Sequence, residues 1–237
     1  MQIKVSSFSK FLELINLSGE VEIKTCIFRG DKDKLSITAV DEAKKVVLAH
    51  GEYKGDFSSI GDIGIEDLTL LRRMMSAFAG DVEMTKTTNK LKLSNGKKLN
   101  VELILRNAQY VLNEVDKAKY DVLHTKAIGN AFTIDDASVK EFENYYKVFG
   151  KEVFISGDAN SVTFGVDNGN NKLNLNVAVK ESIQKFEIKL AGFLMIVLGA
   201  IKNNAFSMSI NGGAIPILLS TKTDDYNVDY IVAPLIK

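Results

Sequence analysis

The sequence predicts an α+β fold of two tandem domains, each with two helices packed on antiparallel sheets. The chain has 237 residues, and at a length above roughly 100 to 150 residues two domains, or one large all-β unit, are natural. Apolar residues with helical spacing occur in four places, separated by runs that alternate with a period of two. The order of these elements occurs twice, which favours two domains.

The first half begins with a short strand and a helix. Phe8, Phe11, Leu12 and Ile15 stand at positions i, i+3, i+4 and i+7, which predicts one buried helical face. Gly19 follows as a stop signal. Strands are predicted over residues 21–28, 35–40 and 46–49, a second helix over residues 68–78, and further strands over residues 82–87, 91–93 and 99–105.

Residues 107–130 show apolar side chains among charges without a clear period. A connector of this length is uncommon and usually functional. It divides the chain into predicted domains of residues 1–106 and 131–237.

The second half repeats the pattern of the first. Moving the first helix along the chain until Phe8 meets Val139 also brings Phe11 onto Phe142 and Gly19 onto Gly150. This is a repeat of pattern and not of identity. The remaining elements are a helix over residues 190–202 and strands over residues 131–134, 153–156, 162–166, 173–179, 186–188, 206–210, 215–220 and 228–234.

Composition limits the classes of function. Thirty basic and thirty acidic residues cancel, so any affinity for DNA must come from segregated charge and not from an overall positive field. The single cysteine, Cys26, cannot form an intramolecular disulfide, which suggests a reducing compartment. The most apolar stretch, about twelve residues, is shorter than the roughly twenty that a membrane span needs. We therefore expect a soluble protein without a membrane partner.

Catalytic and metal-binding motifs are missing from the sequence. The only histidines, His50 and His124, are isolated, and no phosphate loop, dinucleotide fingerprint, zinc motif or nucleophile elbow occurs. The carboxylate pairs at residues 135–136 and 224–225 are explained by helix capping and solvation. We expect neither an enzyme nor a cofactor.

Two consecutive copies of this order, joined by a long connector, resemble the DNA sliding clamp family, which includes proliferating cell nuclear antigen (PCNA) and the T4-type phage clamps. The most specific segment is Tyr230-Ile231-Val232-Ala233-Pro234-Leu235-Ile236, similar to the Tyr-x-Leu-Ala-Pro-x-Ile ending of the eukaryotic and archaeal clamps. Pro216 also has a counterpart there, and residues 132–179 are closer to the phage clamps in spacing.

The resemblance implies a non-enzymatic, ring-forming processivity factor. Three copies of the chain would encircle double-stranded DNA without sequence preference and tether a DNA polymerase, with a clamp loader as a further partner. It would act in the cytoplasm, or in the host cytoplasm or nucleoid if it is phage-encoded. Two alternatives stay open: a monomeric, herpes-type processivity factor of the same fold, and a structural or assembly protein of a phage particle.

One helix face carries basic residues without an intervening acid. Opposite the apolar face of the third helix stand Lys140, Asn144 and Lys147, with Lys151 just beyond. This is either a solvated outer face or, as the resemblance implies, a face that lines the central hole of a ring. The full predicted DNA-binding set is Lys10, Arg72, Arg73, Lys140, Asn144, Lys147, Lys151 and Lys202.

The resemblance also implies that the ring closes through two edge strands, which match residues 99–106 and 172–180. Both alternate cleanly, so each could bury one face and offer its backbone to a neighbour. Alternatively, they pair within their own sheets. The interface prediction comprises Leu99, Val101, Leu103, Leu105, Leu173, Leu175, Val177 and Val179.

Partner proteins of clamps insert a short apolar motif beneath the connector, between the two halves. Carried over by position, the predicted partner pocket comprises Val40, Tyr110, Val111, Leu112, Pro216, Ile217, Ile231, Ala233 and Pro234.

Overall fold

The computed structural model describes residues 1–96, 99–150, 152–212 and 215–234. Within these residues, no helix is both long enough and apolar enough to cross a lipid bilayer. The helices are α1 (Val5–Asn16), α2 (Leu68–Ser76), α3 (Lys117–Ala127), α4 (Asp136–Phe149) and α5 (Phe193–Ile201). The strands are β1 (Gln2–Ile3), β2 (Cys26–Gly30), β3 (Lys34–Val40), β4 (Val47–Lys54), β5 (Asp62–Ile65), β6 (Val82–Lys86), β7 (Lys90–Ser94), β8 (Asn100–Arg106), β9 (Asn130–Thr133), β10 (Glu152–Asp167), β11 (Lys172–Ala191), β12 (Phe206–Ile210), β13 (Ile217–Lys222) and β14 (Tyr226–Val232).

Helix α1 follows the predicted apolar spacing. Its core residues, including Phe11 and Ile15, are fully buried. On the facing strand β4, a Cβ at Gly51 would stand 2.5 Å from Ile15 Cδ1 and 2.7 Å from a ring carbon of Phe11. Glycine therefore lets the helix approach the strand closely. The helix ends at Asn16, and Leu17, with φ 46°, turns the chain before Gly19.

Aspartates cap the N-termini of α2 and α4. The Asp67 carboxylate accepts a hydrogen bond from the Leu70 N–H at 2.7 Å, and Asp135 accepts one from the Ser138 N–H at 2.8 Å. Each satisfies a donor that the first helical turn leaves free.

The prediction of a strand over residues 21–28 is wrong in its first part. Residues Gly19–Val21 form a short 3-10 turn, and β2 begins only at Cys26. Ile23 donates its N–H to Asn16 O at 2.9 Å, so this segment completes the end of α1 before it enters the sheet.

The four short strands predicted over residues 153–188 are two long ones. Strands β10 and β11 pair antiparallel from Glu152 with Ala191 to Asp167 with Lys172. The register shifts on both sides of Ala159, whose φ is 54°. Such bulges bend a strand without ending it.

The other strands form one twelve-stranded sheet in the order β1-β6-β7-β8-β5-β2-β3-β4-β14-β13-β12-β9. Strand β4 of the first half pairs antiparallel with β14 of the second, from Val47 with Val232 to Tyr53 with Tyr226. This seam joins the two halves of the chain into a continuous surface.

The helices lie on the two sides of this surface. Helix α1 contacts α2 and α5, and α5 contacts α4, so these four form one layer over the main core. Helix α3 instead packs on β13 and β14 in a separate, smaller apolar cluster. The connector, which shows no clear period in sequence, therefore contains a helix of its own.

Candidate DNA-facing helices, strand edges and partner surface

Four cations of the helix layer form no salt bridge with the residues that the structure describes. Arg73, Lys140 and Lys147 are exposed, and Arg72 is half-buried. Asn144 is exposed between Lys140 and Lys147, on the same face of α4 because residues four and three apart are neighbours on a helix.

Two other predicted DNA-binding residues are neutralised within the chain. Lys10 Nζ lies 3.2 Å from Glu13 Oε2, and Lys202 Nζ lies 3.1 Å from Glu143 Oε2. These two cations therefore add less to a positive surface than α2 and α4 do. Lys151 lies outside the described residues.

The two predicted interface strands each have a backbone edge without a partner strand in the described part of the chain. Strand β8 pairs with β7 over Asn100–Ile104 and with β5 only at Leu105 and Arg106. The first part of β11 pairs only with β10. Such edges can add a further strand.

The side chains on these strands divide between the core and the surface. Leu103, Val177 and Val179 are buried. Ile104 is 70% exposed on the opposite face of β8, and the interface prediction does not include it. The remaining predicted interface residues pack at the edge of the core or are half-buried: Leu99, Val101, Leu105, Leu173 and Leu175.

An apolar patch lies on the side of the sheet opposite the helix layer, and we call it the outer patch. It consists of Val40, Leu48, Leu218 and Ile231, which are neighbours across β3, β4, β14 and β13. The partner-pocket prediction includes Val40 and Ile231. Leu48 and Leu218 of the patch are not in that prediction, and Ile217, which is in it, faces the main core.

The C-terminal segment reaches this end of the sheet. Ala233 donates its N–H to Val46 O at 2.8 Å, and Pro234 forms an isolated bridge with Leu190. Pro216, Ala233 and Pro234 are half-buried.

The predicted connector residues differ in exposure. Tyr110 is 63% and Leu112 is 89% exposed, while Val111 is buried. None of these three belongs to the apolar cluster over the outer patch.

Helix α3 covers the outer patch. Tyr120 and Ala127 are buried against it, and Leu123 packs on its rim. The Tyr120 hydroxyl donates a hydrogen bond to Asp229 Oδ2 at 2.8 Å. Burial and then the Asp229 charge raise the pKa of Tyr120 well above its ordinary value, so the phenol stays a donor.

Both histidines of the chain flank Tyr120. The His50 ring stacks on the Tyr120 ring at 4.2 Å, and the His124 ring lies 5.4 Å away. His50 Nδ1 also shares a hydrogen bond of 2.7 Å with Thr38 Oγ1. Burial lowers the pKa of His50 despite the nearby Glu52 carboxylate. No local pattern predicts this arrangement, because the two histidines lie far apart along the chain.

No group of three or more His, Cys, Asp or Glu side chains that could hold a metal ion occurs in the described ranges. At the sequence level, no protein-family model and no curated protein matches the chain.

Solved structures, in contrast, match the whole chain. The PCNA of A. fulgidus, solved with the C-terminal region of FEN-1 bound, superimposes with a TM-score of 0.79 at 13% identity over 100% of this chain and 98% of that one. The PCNA of Entamoeba histolytica gives 0.78 at 14% identity, over 99% and 98%. The beta sliding clamp of C. crescentus gives 0.76 at 15% identity, over 100% of this chain and 66% of that longer chain.

The chain therefore has the fold of the DNA sliding clamps, and the predicted fold is confirmed. Within this class its length matches the PCNA type, because the PCNA structures of A. fulgidus and Entamoeba histolytica are each covered almost from end to end.

Proposed function

We propose that this chain is a DNA sliding clamp, a non-enzymatic ring that encircles duplex DNA and tethers a replicative polymerase. The observation that carries the proposal is the end-to-end match with PCNA structures in both directions. A match to one domain alone would leave the ring unsupported.

The DNA contacts of the proposed clamp come from α2 and α4. Arg72, Arg73, Lys140 and Lys147 have no internal acidic partner among the described residues, so they can approach phosphates freely. Duplex DNA carries a phosphate charge about every 1.7 Å of its axis, and such contacts do not depend on sequence. Sliding requires that independence, because a base-specific hydrogen bond would hold the ring at one site.

The ring of the proposed clamp closes when β8 of one copy meets β11 of the next. Three copies fit the PCNA-type length, and the exposed Ile104 would then become buried at each boundary. A DNA polymerase and a clamp loader are the protein partners of this proposal.

The test combines mass with retention on DNA. Light scattering should give three times the monomer mass, and loaded protein should stay on nicked circular DNA but leave after the circle is linearised. A monomeric processivity factor would bind both DNA forms equally, and a structural protein would bind neither. Either result rejects the ring.

The helix assignment is tested with Lys140→Ala/Lys147→Ala. Each lost phosphate contact should lower the slope of log affinity against log salt by about 0.9. The matched control is Lys119→Ala/Lys126→Ala, two exposed lysines on α3, across the sheet. Equal slopes in both variants would remove α4 from the DNA-facing surface.

A further inference from the structure

Helix α3 is held between two firm anchors. On its N-terminal side, the Asn113 carbonyl accepts the Val40 N–H at 2.9 Å, and Val115 donates to Thr38 O at 3.2 Å. The buried Asn113 amide also donates to Thr25 O at 2.7 Å. The chain before α3 is therefore attached to the edge of β3.

The second anchor follows the helix. Gly129 donates its N–H to Ser209 Oγ at 2.8 Å, and Asn130 begins β9, which pairs with Ile210 of β12. A Cβ at Gly129 would lie 2.4 Å from Ile210 O, so the backbone is fixed there by close contact.

Between these anchors, α3 holds the sheet weakly. Only Tyr120 and Ala127 of its residues are buried, and Tyr120 with Asp229 forms the one side-chain hydrogen bond from α3 to the sheet in the described residues. Val122 is 53% exposed. Helix α3 can leave the sheet without breaking a strand pair, because both anchors lie outside it.

We infer that α3 occupies, within the same chain, a binding site for partner segments, and that a partner binds the outer patch by displacing α3. This inference rests on the proposed function for the identity of the partners, but the occupied site is a property of the single chain. The free energy that holds α3 on the sheet must be repaid by each partner, so it sets the apparent affinity.

The side chains by which α3 contacts the outer patch indicate which side chains a partner segment needs there. The outer patch is aliphatic, and Asp229 at its border accepts a hydrogen bond. Leu123 follows Tyr120 by three residues, so the two contact the patch from one helical face. The partner segment is therefore short and amphipathic, with an aromatic donor and an aliphatic residue one turn later.

A synthetic peptide of residues 116–128 is the probe. It should bind poorly to the unaltered chain, because the tethered α3 has an effective concentration in the millimolar range. In a first variant, a Gly-Ser linker of equal length replaces residues 116–127, and we call this the opened chain because the outer patch is uncovered. It should bind the peptide at least tenfold more tightly in an NMR titration. Tyr120→Ala is a second opened chain, in which the helix stays but loses its main contact.

A substitution that stabilises α3 should have the opposite effect on peptide binding. Val122→Ala replaces an exposed β-branched residue with a better helix former, so it should weaken peptide binding about twofold and slow amide exchange in α3. The matched control is Val148→Ala on α4, which is 74% exposed and should leave peptide binding unchanged. Equal binding to the opened and unaltered chains, or the same shift in both alanine variants, would overturn the inference.

These measurements need neither DNA nor a ring. If the peptide results are as expected but the protein is not retained on circular DNA, the proposed function is rejected. The inference that α3 covers a binding site is then still supported. If the ring forms but the peptide results are not as expected, only the inference about α3 is rejected.

Discussion

Two neighbouring residues of β14 attach different helices to opposite faces of the same strand. Tyr230 is fully buried and donates its hydroxyl hydrogen bond to Leu14 O of α1 at 2.7 Å. Asp229 accepts one from Tyr120 of α3 at 2.8 Å. The two bonds are of similar length, yet the helices they hold differ greatly in burial.

The difference lies in what surrounds each bond. Helix α3 buries Tyr120 and Ala127, whereas α1 buries a continuous face: Val5, Phe8, Phe11, Leu12, Leu14, Ile15 and Asn16. Hydrophobic burial is the main stabilising term in folding, so we expect α1 to unfold only with the whole chain and α3 to open locally. A single strand can thus carry a permanent contact on one side and an exchangeable contact on the other.

The largest effect should come from Phe11→Ala. Truncating a fully buried aromatic residue leaves a cavity and costs about 3–5 kcal/mol. Urea unfolding should show this loss for the whole chain. A loss confined to amide exchange within α1 would mean that α1, like α3, is a local unit.

Tyr230→Phe should cost about 1–3 kcal/mol of global stability. Leu14 lies in the last turn of α1, where carbonyls lack a helical partner, and its carbonyl would lose the Tyr230 donor. An unsatisfied buried group carries its full desolvation penalty. We expect a lower urea midpoint with an unchanged slope.

Tyr120→Phe removes the equivalent bond on the other face and should affect α3 alone. The Asp229 side chain is 16% exposed, so water can replace the donor. Amide exchange in α3 should accelerate a fewfold, while the free energy of unfolding from urea titration stays within about 0.5 kcal/mol of that of the unaltered chain. A global loss as large as that of Tyr230→Phe would abolish the contrast between the two faces.

The smallest effect is a pH dependence of α3 docking. Burial lowers the pKa of His50 in the folded chain, opposed by Glu52 and Asp229 and assisted by Lys117. The folded state then binds fewer protons than the unfolded one. The stabilisation that neutral His50 contributes to the folded state is present above the ordinary histidine pKa of about 6.5. It is lost as the pH falls below that value.

The protection factors of the α3 amides, which correct for the intrinsic pH dependence of exchange, should therefore fall as the pH is lowered from about 7.5 to about 5.5. His50→Gln keeps His124 and both carboxylates, so it should flatten this change. An identical pH profile in the two chains would assign the effect to another group.

The four helices of the helix layer could be predicted from sequence, whereas α3 could not. Phe8, Phe11 and Ile15 reveal α1 because a face buried in a large core needs a continuous apolar stripe. Helix α3 buries only Tyr120 and Ala127, too few to give a period. Its contacts are set by β14, which is distant in sequence.

The sequence does not reveal which faces Ile217 and Leu218 occupy, for a related reason. Strand β13 is covered by the main core on one side and by α3 on the other, so Ile217 and Leu218 are both buried. Strands buried on both faces lose their alternation. The pair between Lys202 and Glu143 joins two helices 59 residues apart in sequence, and no local pattern predicts it.

The seam between β4 and β14 also has a mechanical meaning. Seven consecutive residue pairs join the two halves, while α1 bridges them from behind by contacting both strands. Under mechanical load the chain should move as one rigid unit, with little bending between its halves. In the proposed ring, compliance would lie at the boundaries between copies, and a force that opens the ring would act where β8 of one copy is proposed to meet β11 of the next.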